Sequence, residues 1–183
     1  MNIYENTIKA TELLINNCFE IQKKDNVIKL RYDQPKHFLK EYATVKVYGP
    51  RQSGHSSAIV NIICKFELDA LVISLNQRMM EFLIANSFTY FQETYKPEDL
   101  SVDINKLSRK TKYMLNGNEK KIYYTCSSFL NNQFLKFMGE SVDAIIIDTA
   151  SFFKNVEIEY IYDFAVKSGT LQFSKNPLIL MMQ

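Results

Sequence analysis

Short apolar runs with helix-length segments between them constrain the fold of this chain more than any other feature. "ALVISL" (Ala70–Leu75) is of the kind found in central parallel strands, where both faces are covered. The other runs are "TVKVY" (Thr44–Tyr48), "VDAIIIDTA" (Val142–Ala150) and "NPLILMMQ" (Asn176–Gln183). Strands that alternate with helices favour one mostly parallel sheet between two helical layers. The predicted fold class is therefore a three-layer α/β sandwich.

The segments between these runs carry helical patterns and one hairpin. Residues 1–30 form a predicted helical lead-in, and "KKDN" (Lys23–Asn26) interrupts its apolar spacing. Asn116-Gly117 is a strong turn signal between two strand-forming runs, which predicts a hairpin over Tyr113–Ser128. The predicted helices cover Gln34–Ala43, a buried helix from Ser56, Gln77–Thr94, and Glu157–Gly169 with Gly169 as its stop signal.

Composition excludes several classes of protein. The hydrophobic share of 46% and charged share of 23% over 183 residues are those of an ordinary globular chain with one domain. No apolar run could span a membrane, and no secretory signal stands at the N-terminus. The three cysteines, Cys18, Cys64 and Cys126, have no paired spacing, so an intracellular, cytoplasmic setting is expected. The basic cluster Lys106–Lys112 fits a solvated face or a phosphate-contacting patch.

A phosphate-binding loop is suggested by "VKVYGPRQSGHSSAIV" (Val45–Val60), which joins a predicted strand to a predicted helix. Such a loop follows G-x-x-x-x-G-K-[ST], with a lysine at the outer phosphates and a hydroxyl at magnesium. Gly49, Gly54 and Ser56 are in register, but the lysine is replaced by His55. Gly-Pro and Ser-Gly are also ordinary turn signals, so the loop alone fits either a phosphate site or a plain turn.

An acidic residue supplies a second sign of a nucleotide site. Asp148 ends an apolar strand, the position from which P-loop proteins hold magnesium through a carboxylate. An acid at a strand end also occurs as a helix cap or turn residue. Strand, loop, helix and acid together favour a P-loop NTPase fold, of the type found in RecA.

Five stretches together resemble the ATPase domain of viral terminase large subunits, which are DNA-packaging motors. They are "RYDQPKHFLKEYA", "GPRQSGHSS", "MLNGNEKKIYYTCSS", "FMGESVDAIIIDTASFFKN" and "KSGTLQFSKNPLILMMQ". The likeness covers Arg31–Gln183, with the loop and acid as degenerate Walker A and Walker B motifs. It implies a single P-loop domain over residues 31–183, and what remains of the chain leaves no room for a nuclease or second motor domain.

The resemblance implies a role for each matching residue. Asp148 would hold magnesium together with Ser56, and Gln34 would read the adenine. Arg51 matches a loop arginine proposed to act as an arginine finger in cis. The residues implied to line the nucleotide phosphates are Gly49, Gln52, Ser53, Gly54, His55, Ser56 and Ser57.

Two departures from the family pattern bear on activity. His55 is shorter than lysine and mostly neutral at pH 7, and Thr149 replaces the glutamate that should follow Asp148 and activate water. We therefore expect a phage-related protein whose catalytic activity is weak or absent and which acts by binding. The expected ligands are ATP with Mg²⁺, DNA, or a DNA-processing protein, and binding to a membrane is not expected. The sequence is compatible with a homo-oligomer. The alternatives are a slow Mg²⁺-dependent ATPase, with Glu157 or Glu159 as base, and a non-enzymatic scaffold that binds no nucleotide.

Overall fold

A seven-stranded sheet with helices on both faces organises the described part of the chain. The computed structural model describes residues 3–49, 55–94, 100–105, 110–115, 118–127, 141–167, 171 and 176–183. The strands lie in the order β1-β7-β6-β2-β5-β4-β3. They are β1 (Thr44–Val47), β2 (Ala70–Ser74), β3 (Leu100–Asn105), β4 (Lys110–Leu115), β5 (Asn118–Cys126), β6 (Ala144–Ile147) and β7 (Leu178–Met182).

Helices cover the sheet on both sides. The helices are α1 (Ile3–Gln22), α2 (Asp25–Asp33), α3 (Pro35–Tyr42), α4 (His55–Lys65), α5 (Gln77–Thr94) and α6 (Asn155–Lys167), with one turn of 3₁₀ helix at Ala150–Phe152. The first, fourth and fifth helices pack on one face, and the second, third and sixth on the other. No helix among the described residues is long and apolar enough to cross a membrane.

Strand β2 shows why the sheet is parallel and central. All five of its residues are buried. Ala70 and Val72 belong to the core under α4, and Leu71 and Ile73 to the core under α6. Burial on both faces is typical of parallel strands, and β1, β7, β6, β2 and β5 are parallel to one another, while β5 is antiparallel to β4 on its other side. The predicted three-layer α/β class is confirmed.

The predicted hairpin is confirmed by the strands that flank its turn. Strands β4 and β5 pair antiparallel, with Leu115 opposite Asn118, while residues 116–117 lie outside the described part. Strand β3 also pairs antiparallel with β4 and was missed. Its sequence "LSVDIN" alternates apolar and polar residues, which is the signal that should have revealed a strand. Strand β4 includes Lys112, the last residue of the predicted basic cluster. Its Nζ lies 3.4 Å from Oε2 of Glu119.

A buried glutamine attaches α1 to the edge of the sheet. Gln22 is 6% exposed, and its Nε2 donates to the carbonyl oxygens of Tyr42 (3.0 Å) and Pro177 (2.9 Å). Cys18 donates to the same Tyr42 oxygen at 3.1 Å. Burial raises the pKa of the Cys18 thiol, so it stays protonated and able to donate. Gln22 thus connects α1 with the end of α3 and the residue that precedes β7.

We predict that Gln22→Ala lowers the free energy of unfolding by about 2 kcal/mol, because two carbonyls then lose a buried donor. Gln77→Ala is the matched control, since Gln77 is exposed and donates only to Glu81 within its own helix among the described contacts. Urea denaturation of both variants measures the difference. Equal losses would show that the buried hydrogen bonds of Gln22 contribute nothing beyond a surface contact.

Candidate functional site

The carboxyl ends of five parallel strands meet at one edge of the sheet. At β1 and β7 the ladder runs on past the strands, since the Gly49 N–H donates to the Gln183 carbonyl oxygen at 3.0 Å. Asp148 directly follows β6, and Ser74 is the last residue of β2. Ligands of open α/β sheets bind outside this kind of edge. The edge is therefore the candidate site.

The start of α4 lies at the same edge, because the chain leaves β1 at Val47 and enters the helix at His55. The first N–H groups of a helix have no partner within it and attract anions. Arg51, Gln52, Ser53 and Gly54 lie outside the described residues, as do the side chains of His55, Ser56 and Ser57. Their roles at the phosphates stay predictions. The structure does place the backbone of His55, Ser56 and Ser57 in the first turn of α4.

Asp148 is buried at this edge with part of its hydrogen-bonding capacity unused. Its backbone N–H donates to the Ile73 carbonyl oxygen at 2.9 Å, which extends the pairing of β6 with β2. The side chain is 2% exposed, and its Oδ1 has no hydrogen-bond partner among the described residues. Burial raises the pKa of this carboxyl to about 6, against a smaller lowering by the Thr149 N–H. A buried unsatisfied acceptor costs about 1–3 kcal/mol, so this group is costly without a ligand.

Ser74 lies beside Asp148 at this edge and was not singled out in the sequence. It is 0% exposed, and its Oγ also lacks a partner in the described part of the chain. Ile73 pairs with Ile147, so the next residues, Ser74 and Asp148, are neighbours on adjacent strands. The only signal in the sequence is a hydroxyl at the end of the otherwise apolar run "ALVISL". That signal does not show which residue lies beside it.

The fold was compared with solved structures. The large terminase of bacteriophage HK97 matches with a TM-score of 0.57 and 14% identity, over 80% of this chain and 31% of that one. The large terminase ATPase domain of Thermus phage P74-26 matches with a TM-score of 0.54 and 14% identity, over 87% of this chain and 68% of that one. This chain has the terminase ATPase fold. It spans about a third of the HK97 protein.

The likeness is one of structure alone. No family model matches the sequence, and no curated protein matches it. The predicted resemblance to terminase ATPase domains is confirmed at the level of fold, while the predicted motif roles rest on this chain's own residues.

The donor set at the edge of this terminase fold consists of oxygen atoms, which are the ligands that hard cations such as magnesium take. The described residues contain no cluster of three or more His, Cys, Asp or Glu side chains that could enclose a metal ion. Magnesium retains waters and is commonly bound by one or two carboxylates plus substrate phosphates. Asp148, the adjacent Ser74 hydroxyl and the start of α4 fit that requirement. They could hold a hydrated Mg²⁺ carried by a nucleotide.

Thr149 is strained and locally satisfied. Its backbone is left-handed, with φ 56° and ψ 46°, which is unfavourable for a β-branched residue. Its Oγ1 donates to the Asp148 carbonyl oxygen at 2.6 Å. Strained backbone is concentrated at functional sites. The hydroxyl that stands in place of the expected glutamate is thus held by the backbone and has no basic character.

The remaining predicted residues lie across the sheet from α4. Gln34 is exposed between α2 and α3, and none of its described contacts reaches Gly49 or Asp148. Glu157 accepts the Lys154 backbone N–H at 2.7 Å, next to the start of α6. Glu159 accepts hydrogen bonds from Lys40 and lies 3.2 Å from Lys36, and these lysines lower its pKa. The described contacts bring none of these side chains to Asp148.

The pKa of Asp148 predicts an unusual pH dependence of stability. Because folding raises this pKa from 3.8 to about 6, the neutral carboxyl favours the folded state, and its contribution is complete below pH 3.8. The contribution is lost as pH rises through 6. Asp148→Asn, which stays neutral, should gain up to about 3 kcal/mol over wild type at pH 8 and almost nothing at pH 4.

Urea denaturation without Mg²⁺ or nucleotide at pH 4, 6 and 8 measures this gain. Asp143→Asn is the control, since Asp143 precedes the other end of β6, accepts the Asp69 N–H at 3.0 Å and lies 3.8 Å from Lys120. That variant should lose stability at pH 8. A gain for Asp148→Asn that is equal at pH 4 and pH 8 would contradict the prediction.

Proposed function

We propose that the chain is a phage-type P-loop protein that binds ATP with Mg²⁺ at the carboxyl edge of its sheet and hydrolyses it slowly at most. The observation that carries this proposal is the buried Asp148 carboxylate, whose Oδ1 has no hydrogen-bond partner among the described residues and lies beside the Ser74 hydroxyl. Support also comes from a large terminase of a thermophilic bacteriophage solved with ATP-γ-S, which matches with a TM-score of 0.51 and 9% identity.

Each part of the site has a stated task in this proposal. The start of α4, with Ser56, binds the phosphates, and Asp148 orients the hydrated cation. Magnesium, when bound, neutralises phosphate charge. His55 supplies less positive charge than the lysine expected in its position. Thr149 supplies no base, because its hydroxyl is donated to the backbone.

We further propose that binding, rather than turnover, is what the protein contributes to a DNA-packaging type of process. DNA or a DNA-processing protein is the proposed partner. The support is the terminase fold together with two residues of this chain. His55 stands where the family pattern has a lysine, and Thr149 stands where it has a glutamate, and hydrolysis needs both of those groups. Glu157 and Glu159 offer no substitute base, since both carboxylates have contacts around α6, on the other face of the sheet.

Nucleotide binding should be visible as thermal stabilisation. With Mg²⁺ and ATP-γ-S at about ten times Kd, we expect the wild-type Tm to rise by about 3–6 °C, because only the folded state binds. Asp148→Asn should lose most of the part of the shift that depends on Mg²⁺, and Asp143→Asn should retain it. Differential scanning fluorimetry measures the shifts. No wild-type shift at millimolar ligand would reject the proposal and favour the scaffold that binds no nucleotide.

Hydrolysis should return when both missing groups are restored. The variant His55→Lys with Thr149→Glu should raise kcat by about 100-fold over wild type, since a positioned general base contributes about 10²–10⁴-fold. Each single change should give less. Phosphate release at saturating ATP and Mg²⁺ is the measurement, with Asp148→Asn added as a control that removes the gain. A wild-type rate equal to that of the double variant would show a genuine ATPase.

A further inference from the structure

Two neighbouring polar groups at the carboxyl edge are buried and have no protein partner in the described chain. They are the Ser74 hydroxyl, 0% exposed, and Oδ1 of Asp148, 2% exposed. Nearly all buried polar atoms of native proteins have a hydrogen-bond partner, either protein or ordered water. Two such exceptions side by side need a physical explanation.

The two groups face the same side of the sheet. Ile73 pairs with Ile147, and the Asp148 N–H donates to Ile73, so Ser74 and Asp148 occupy adjacent positions on parallel strands. Side chains alternate along a strand. Ser74 therefore follows Val72, and Asp148 follows Ile146, toward the core beneath α4. This is the face of the sheet on which α4 packs.

The spacing suits one bridging atom. Neighbouring strands are about 4.8 Å apart, a separation that one atom with a hydrogen bond of about 2.8 Å to each side can bridge. The Ser74 hydroxyl does not donate to Asp148, since neither it nor Oδ1 of Asp148 has a hydrogen-bond partner in the described part of the chain. A single water oxygen between them would satisfy both, which is the part that buried waters play for otherwise unsatisfied polar atoms.

We propose that Ser74 belongs to the Mg²⁺ and nucleotide site, where its hydroxyl and the Asp148 carboxylate together hold one water molecule. In the ligand-free protein that water accepts from Ser74 and donates to Asp148. A water bound to magnesium donates both its hydrogens, and Ser74 then serves as an acceptor. A hydroxyl can take either part, whereas a backbone N–H cannot. This inference rests on the proposed nucleotide binding.

The test measures Tm shifts of wild type, Ser74→Ala and Ser74→Thr. The ligand conditions are Mg²⁺ alone, ATP-γ-S with EDTA, and both Mg²⁺ and ATP-γ-S. Ser74→Ala should weaken binding of the Mg²⁺ complex by about 3–10-fold, the effect of one neutral hydrogen bond. Ser74→Thr keeps the hydroxyl and should bind within about 2-fold of wild type. ATP-γ-S with EDTA should bind all three proteins alike.

The ligand-free proteins separate this role from a structural one. Ser87 is the matched control, because it is also a buried serine, but its Oγ donates to Leu83 (2.7 Å) and accepts from Tyr124 (3.1 Å). Ser87→Ala should lower the ligand-free Tm and leave ligand binding unchanged. Ser74→Ala should lower the ligand-free Tm by less than Ser87→Ala does, since Ser74 loses a hydrogen bond to water and none to the described part of the protein.

Each of the other possible results would reject a specific part of the proposal. If Ser74→Ala binds the Mg²⁺ complex as tightly as wild type, the role of Ser74 is rejected and nucleotide binding stands. If Ser74→Ala weakens ATP-γ-S in EDTA equally, the contact is not through metal-bound water. A fall in ligand-free Tm as large as that of Ser87→Ala would make Ser74 structural. If the wild type does not respond to ligand at all, both proposals fail.

Discussion

Parallel pairing of β6 with β2 and β7 is the constraint on which the site depends. Three apolar strands buried on both faces can lie side by side only if their connections cross outside the sheet, and all then point the same way. Their last residues consequently meet at one edge. Asp148 and Ser74 are neighbours because Ile147 and Ile73 pair, not because their positions in the sequence are related.

This pairing also explains why the site is costly. The strands that position Asp148 also remove it from water, and that desolvation raises its pKa to about 6. At the opposite edge of the sheet the arrangement differs. There the Asp69 carboxylate accepts the Lys121 backbone N–H, and the Asp143 carboxylate accepts the Asp69 backbone N–H. Lys120 lies near both carboxylates, so these acids are satisfied within the protein. Acids are present at both edges, but only Asp148 is left with a buried oxygen that has no described partner.

Sequence reasoning could predict what local chemistry determines. Buried apolar runs predicted the central strands, Asn116-Gly117 predicted the hairpin, and Asp148 was recognisable as an acid at a strand end. Strand β3 was missed because its apolar residues alternate with polar ones and form no continuous run. Ser74 could not have been assigned from sequence, since its significance comes from register between strands. The hydrogen bond from Gln22 to Pro177, which is distant in the sequence, could not be predicted from the sequence either.

The polar groups at the edge are of two kinds: those that have a hydrogen-bond partner among the described residues and those that have none. The Thr149 hydroxyl donates to the adjacent Asp148 carbonyl oxygen, so it is satisfied within the protein. Oδ1 of Asp148 and the Ser74 hydroxyl have no hydrogen-bond partner in the described part of the chain, and a buried polar atom that stays without one costs about 1–3 kcal/mol. The edge thus combines one polar group that the protein satisfies by itself with two that a bound water or ligand would satisfy, which is the arrangement that the proposed binding function needs.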